Sequence, residues 1–328
     1  MGINLLNNPY ANLKNMVIDQ FNQIDQLIIN LTKSHVHLIP KIVSHLVKSG
    51  GKRMRPLLTL ACAKLVGCDN PDIIKLATSV EFIHSATLFH DDVIDESALR
   101  RGQATANSVW DNKSCILIGD FLLSHAFKLM VECNSIDALK MLADASVIIT
   151  EAEIWQLDLI GKHDNSEEQY INLVIGKTAS LFATSCAIAG VLQNSDPEIT
   201  QALYSYGLNL GIIFQISDDT LDYNGNVETL GKSIGSDFLE KKITLPLIYL
   251  LKTASPTDKQ IILDNFNSKV PDVAVILKFF DHYDILSQLL STLTKYKVAA
   301  IEALEILPQN SVKQQLESLL EYIVVRKN

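Results

Sequence analysis

Two stretches decide the reading of this chain: Phe82-Ile83-His84-Ser85-Ala86-Thr87-Leu88-Phe89-His90-Asp91-Asp92-Val93-Ile94-Asp95, and Gly211-Ile212-Ile213-Phe214-Gln215-Ile216-Ser217-Asp218-Asp219-Thr220-Leu221-Asp222. Each is an apolar run that ends in acids spaced i, i+1, i+4. A run of that length with no Pro, and with Gly only at the head of the second, predicts helix, and helical spacing puts Asp91 with Asp95, and Asp218 with Asp222, on one face. Like charges one turn apart repel, by roughly 0.2–0.5 kcal/mol on an isolated helix and more when desolvated. A divalent cation reverses that sign. Carboxylate oxygens are hard ligands suited to Mg²⁺, which takes one or two protein carboxylates and completes its shell with phosphate oxygens and water. Two solvated acidic patches are the plain alternative, although a repeat of the pattern at the end of a second apolar run weakens it. Neither run has the alternating ligands, central Gly and distant Glu of an EF-hand loop.

Outward from these runs the helical period persists. Leu13, Val17, Phe21, Ile24, Ile28 and Leu31 form a stripe predicting one helix, and Leu286, Leu290, Leu293, Ile301 and Leu304 form another. Helices are also predicted over 36–48, 55–67, 71–96, 105–131, 149–161, 166–193, 197–224, 238–253 and 310–326. Stretches 178–192 and 199–217 are apolar most of the way round and belong at the centre of a bundle. Sustained period-two alternation and hairpin dipeptides between β-branched runs are absent. Breaks fall at Ser49-Gly50-Gly51, Asp69-Asn70-Pro71, Ser195-Asp196-Pro197 and Asn224-Gly225-Asn226. No linker or composition shift divides the 328 residues, so one all-α domain over 1–328 is expected.

Composition narrows the function. The 28 basic and 37 acidic residues leave a net charge of −9, which argues against a broad nucleic-acid surface but leaves small phosphorylated ligands open. The five cysteines lack a CxxC pair, so buried free thiols in a reducing cytoplasm are expected. No signal peptide or lipid-facing span is read. The longest uncharged stretch, 199–217, contains Gln201, Ser205, Asn209 and Gln215 and suits a buried helix. Cations cluster where a phosphate site needs them: Lys52, Arg53 and Arg55 after a Gly pair, Arg100 and Arg101 after the first acid run, Lys177 before Thr178, and Lys232 and Lys242 on either side of Asp237. Taken singly, each is an ordinary surface charge.

In order and together, GGKRMRP at 50–56, LFHDDVIDESALRRG at 88–102, GIIFQISDDTLD at 211–222 and KSIGSDFLEKKITLP at 232–246 resemble the motifs of the trans-isoprenyl diphosphate synthase (polyprenyl synthetase) family. The likeness is greatest to its long-chain bacterial members, which make octaprenyl-type chains for quinones. It implies an all-α isoprenoid-synthase-type bundle around a deep central cavity, acting as a homodimer. The implied reaction is head-to-tail condensation of isopentenyl diphosphate with an allylic diphosphate, assisted by up to three Mg²⁺ ions per site. By resemblance, Asp91, Asp95 and Asp218 hold the metal, with Asp92, Asp219 and Asp222 as water-linked or supporting acids. Arg100, Lys177, Thr178, Gln215, Lys232 and Lys242 match allylic diphosphate positions; Lys52, Arg55, His84 and Arg101 match the isopentenyl diphosphate pocket. Asp91, Asp95, Asp218, Lys177 and Lys232 carry the catalytic step, and the departing diphosphate takes the proton. Ala86 and Thr87, just before Asp91, match the chain-length positions, and the small Ala86 leaves room for a long tail. A lipid-soluble product implies transient membrane contact for its release. Ser236 stands where many long-chain relatives carry an acid, and Lys241 where Gly is common; His90 has no assigned role. Two other readings remain: a terpene cyclase, against which Lys52, Arg55 and Arg101 argue because a cyclase needs no second diphosphate pocket, and a non-catalytic subunit, in which degenerate acid runs are expected.

Overall fold

The computed structural model describes residues 8–48, 51–100, 102–163, 165–224 and 234–325. Its long helices are α1 (Pro9–Met16), α2 (Ile18–Leu31), α3 (Leu38–Lys48), α4 (Met54–Val66), α5 (Ile73–Ile94), α7 (Asn112–Glu132), α8 (Ile136–Leu159), α9 (Glu167–Val174), α10 (Ser180–Gln193) and α11 (Pro197–Asn224). The short α6 (Ala106–Val109) precedes α7, and α12 (Ser236–Leu239) follows α11. The chain ends in α13 (Leu245–Thr253), α14 (Pro256–Asn267), α15 (Val273–His282), α16 (Ile285–Leu304) and α17 (Ser311–Val324).

Local chemistry sets many of the starts. Asp111 accepts from the Ser114 amide at 2.7 Å, Ser166 and Gln169 form a reciprocal capping box, and Asn310 accepts from the amides of Val312 and Lys313. At the centre lies α10, nearly all of whose residues are buried. α11 packs against it at close range. A Cβ at Gly207 would stand 2.5 Å from the Phe182 carbonyl oxygen, and one at Gly211 would stand 2.5 Å from the Ala179 Cα, so only glycine lets these helices meet. Between α9 and α10 the helix widens into one π-turn, Ile175–Ala179. Such turns often occur at functional sites, and this one carries Lys177 and Thr178. All five cysteines are free and buried.

The structure redraws several elements. The stripe from Leu13 to Leu31 is split at Val17, yet Leu13, Val17 and Phe21 stay buried on one side, so the periodicity outlives the break. The expected 105–131 helix is cut where Asp111 caps α7, and α8 begins at Ile136 rather than 149 because Ser135 caps it. Residues 240–244 are irregular before Pro246 opens α13. Helices α14 and α15 were not anticipated; Ser255 with Pro256, and Asp272, mark their starts. A two-residue antiparallel ribbon, Leu99–Arg100 against Gln103–Ala104, is too short to show a period-two pattern. Two stretches, Asn112–Glu132 and Glu167–Gln193, are long and apolar enough to cross a membrane by length and composition; most of the second is buried in the bundle.

Candidate active site

The two acid runs end α5 and α11, and in each the middle acid turns into the protein. Asp92 is 3% exposed and receives a forked contact from Arg100, with Nε at 3.0 and 3.1 Å and Nη2 at 2.8 Å. Asp219 is 6% exposed and is held by neutral donors: Tyr170 Oη donates to Oδ2 at 2.6 Å and Gln215 Nε2 to Oδ1 at 2.7 Å. Burial, without a cation to offset it, raises the Asp219 carboxyl to about 7; the two donors lower it, and Asp218 and Asp222 raise it further. Asp222 accepts from the amides of Ser236 and Asp237 at 3.2 and 3.0 Å, which joins the α11 end to α12. Ser236 thus contributes its backbone amide.

Asp91 is raised to about 7, chiefly by burial. Glu153 and Asp95 add to the shift, while Lys177 and Arg100 oppose it. Lys242 links the first acid run to α12. Its ammonium pairs with Asp95 at 3.3 Å and Glu240 at 2.9 Å, while its amide donates to the Asp237 carbonyl at 2.9 Å, beside Asp222. Lys177, on the π-turn, donates to Glu153 at 2.8 Å and Gln156 at 2.6 Å, both on α8. Thr178 Oγ1 donates to Gln215 Oε1 at 2.8 Å, so Thr178, Gln215, Asp219 and Tyr170 form one chain of hydrogen bonds.

Arg55 reaches the same region from α4. Its guanidinium lies 4.4 Å above the Phe182 ring, and its buried Nε has no hydrogen-bond partner. Burial pulls its pKa down to about 10 against the opposing pull of Glu81 and Asp218. Lys52 lies 5.8 Å from the Tyr322 ring of α17, and its carbonyl accepts from the Tyr10 hydroxyl. His84 is half-buried, and its carbonyl accepts from Thr87 at 2.8 Å. Ala86 is fully buried on α5, one turn and a residue before Asp91. Arg101 and Lys232 lie outside the described residues, as does Gly50.

The residue at 241 takes a backbone conformation that suits glycine. Lys241 has φ +60°, a left-handed conformation that glycine adopts without a Cβ penalty. Its ammonium donates to the Phe266 carbonyl and, at 3.3 Å, to that of Ser268, at the C-terminal end of α14. A lysine therefore occupies a glycine-type turn with its side chain anchored to a helix end.

Acids crowded at two helix ends beside lysine and arginine side chains, one of them with an unpartnered buried Nε, fit a hard divalent cation and a phosphorylated ligand. Among the described residues no three carboxylate, imidazole or thiol groups converge on one ion position, so an ion here would draw on phosphate oxygens and water as well. Sequence reasoning missed Glu153, Gln156 and Tyr170. Each stands more than twenty positions from its partner, and only the close helix packing reveals it.

The sequence pattern of the polyprenyl synthetase family matches residues 36–283. The chain is 35% identical over 308 residues to the octaprenyl diphosphate synthase of Haemophilus influenzae, covering 93% of each protein. It is 39% identical over 239 residues to that of Escherichia coli, covering 73% of this chain and 74% of the relative. A decaprenyl diphosphate synthase crystal structure from Rhodobacter capsulatus superposes with a TM-score of 0.92 at 36% identity, covering 98% of this chain and all of that one. A polyprenyl synthase from Caulobacter crescentus, crystallised with calcium and isoprenyl diphosphate, gives 0.91 at 39% identity over 97% of this chain and 98% of that one. Matched by pattern over most of its length, and by relatives along nearly all of it, the chain belongs to the polyprenyl synthetase family.

Proposed function

We propose that this chain is a Mg²⁺-dependent prenyltransferase that condenses isopentenyl diphosphate with an allylic diphosphate. Its product is a long-chain all-trans polyprenyl diphosphate, octaprenyl-like in length, that supplies quinone side chains. The reading is carried by one observation: acids at the ends of two helices meet Lys177, Arg55 and Lys242 in one region, with Lys242 linking Asp95 to α12, whose amides hold Asp222.

Asp91, Asp95 and Asp218 would hold up to three metal ions per site, which when bound neutralise charge on the leaving diphosphate. Asp92, Asp219 and Asp222 keep the ligand-bearing turns in place through their own bonds. Lys177, Lys232, Lys242, Arg100, Thr178 and Gln215 hold the allylic diphosphate. Lys52, Arg55, His84 and Arg101 dock isopentenyl diphosphate, with the unpartnered Arg55 Nε a ready donor. Positive side chains stabilise the charge that develops as the allylic carbon–oxygen bond breaks, and apolar walls keep water from the cation. The isopentenyl double bond attacks that carbon, and the departing diphosphate removes the proton.

The whole chain acts as one domain and as a homodimer in the cytoplasm. Exposed apolar residues on α7 and α8, among them Leu117, Val131, Ile154 and Leu157, support the dimer by offering apolar area for a second copy to cover. Transient contact with a membrane would unload the lipid product. Incubation with labelled isopentenyl diphosphate, a farnesyl or geranylgeranyl primer and Mg²⁺, followed by sizing of the dephosphorylated products, tests the reading. Linear products well beyond the primer are expected; cyclic products, or none, would reject it. Ala86→Phe is expected to shorten the product, and unchanged length would remove Ala86 from the account.

A further inference from the structure

His90 adjoins the metal-binding run, yet none of the roles above uses its side chain. Its imidazole fills the space above Gly119 of α7. A Cβ at that glycine would stand 2.2 Å from Nε2 and 2.7 Å from Cδ2. Nε2 lies 3.2 Å from the Ile116 carbonyl oxygen, to which it can only donate, and 3.6 Å from Asp120 Oδ1. The ring is thus held on α7 by shape and by a hydrogen bond.

Helical geometry passes that constraint to the acids. At 3.6 residues per turn, Asp91 lies about 100° around the helix from His90, and Asp95 returns close to the azimuth of Asp91. Fixing His90 therefore fixes the direction of both. This is also the last turn of α5, where helices fray, and where Asp91 and Asp95 are like charges one turn apart.

We propose that His90, seated over Gly119, is a positioning residue that locks the last turn of α5 and keeps Asp91 and Asp95 aimed at the metal before it binds. The lock rests on the reading of those two acids as metal ligands. It makes Gly119 a required glycine because any side chain there would expel the imidazole.

The test uses the full chain with Gly119→Ala, His90→Leu, His90→Gln, His90→Ala and the double variant His90→Ala/Gly119→Ala. Three quantities are read: the rise in Tm given by Mg²⁺ with inorganic pyrophosphate, the Mg²⁺ concentration for half-maximal turnover, and KM for isopentenyl diphosphate. Gly119→Ala and His90→Leu are expected to raise half-saturating Mg²⁺ about tenfold and to shrink the Tm rise, with KM for isopentenyl diphosphate unchanged. His90→Gln retains an N–H of similar reach and is expected to recover most of the loss. In the His90→Ala background, Gly119→Ala is expected to add nothing, because the ring it would strike is gone. The lock is overturned if folded Gly119→Ala and His90→Leu keep the wild-type Mg²⁺ dependence, or if Gly119→Ala is as damaging without the imidazole as with it. A wild type whose Tm ignores Mg²⁺ and pyrophosphate would instead overturn the metal-site reading on which the lock rests.

Discussion

At the end of α5 the buried middle acid, Asp92, faces a guanidinium; at the end of α11 its counterpart, Asp219, faces a phenol and an amide. The third acids differ in the same way. Asp95 is partly exposed and pairs with Lys242, whereas Asp222 is tied by the amides of Ser236 and Asp237. One wall is thus balanced by charge from the ribbon and from the segment after α12, and the other by neutral hydrogen bonds within the bundle. Ion pairs such as Lys242–Asp95 can be exchanged for a cation at small cost, since partly exposed pairs contribute little. A buried neutral network resists exchange, because any donor removed leaves an acceptor unsatisfied. The first wall thus has one ion pair, Lys242–Asp95, that a ligand can displace, and the second is held by bonds within the bundle.

Asp91→Asn and Asp218→Asn are expected to have the largest effect, lowering turnover by about 10³-fold, read as product formed per time with the fold checked by circular dichroism. If Asp92→Asn were equally damaging to turnover without loss of stability, the division between facing and supporting acids would fail. Tyr170→Phe comes next. It strands one oxygen of Asp219 and should reduce unfolding free energy by about 1–3 kcal/mol in denaturant titration. An unchanged midpoint would show that the second wall does not depend on that phenol.

The dependence of Tm on pH separates the two walls further. Asp91 and Asp219 are both raised to about 7 in the folded protein, so between the ordinary carboxylate range near 4 and pH 7 the native state binds more protons than the unfolded one. Stability of the metal-free protein should therefore fall as pH rises through that window. Mg²⁺ with pyrophosphate should flatten the part due to Asp91 and leave the part due to Asp219, because only Asp91 is assigned to the metal. A Tm of the metal-free protein that rises across this window would contradict both shifts. The smallest effect is expected from Lys242→Ala, under about 1 kcal/mol in stability, since the two pairs it breaks, with Asp95 and Glu240, are partly exposed. A larger loss would mean that the first wall is as rigid as the second.

Much of this was legible before the fold was known, and the exceptions have physical reasons. The acid runs could be read because a helix places i and i+4 on one face wherever it packs. Helices α14 and α15 were missed because Ser255-Pro256 and Asp272 are brief start signals, because α14 shows little apolar periodicity, and because the apolar run Val273–Phe280 of α15 is too short for its period to tell helix from strand. The position of Lys241 stood out as unusual, but its meaning depended on φ +60° and on carbonyls twenty-five or more residues away. Glu153 and Gln156 carried no local mark, since each is an ordinary surface-type residue on a helix until Lys177 meets it.

By itself, the sequence determined the helical class, the family motifs and the acids and cations available for chemistry. These follow from short-range periodicity and from residue types, which do not depend on what a helix packs against. Which acid of each run is buried, Asp92 in one and Asp219 in the other, was settled only when the helices packed. That choice is a matter of rotation about the helix axis. Rotation is set by partners such as Arg100, eight residues from Asp92, Tyr170, forty-nine from Asp219, and Gly119 beneath His90, which meet only when the bundle closes.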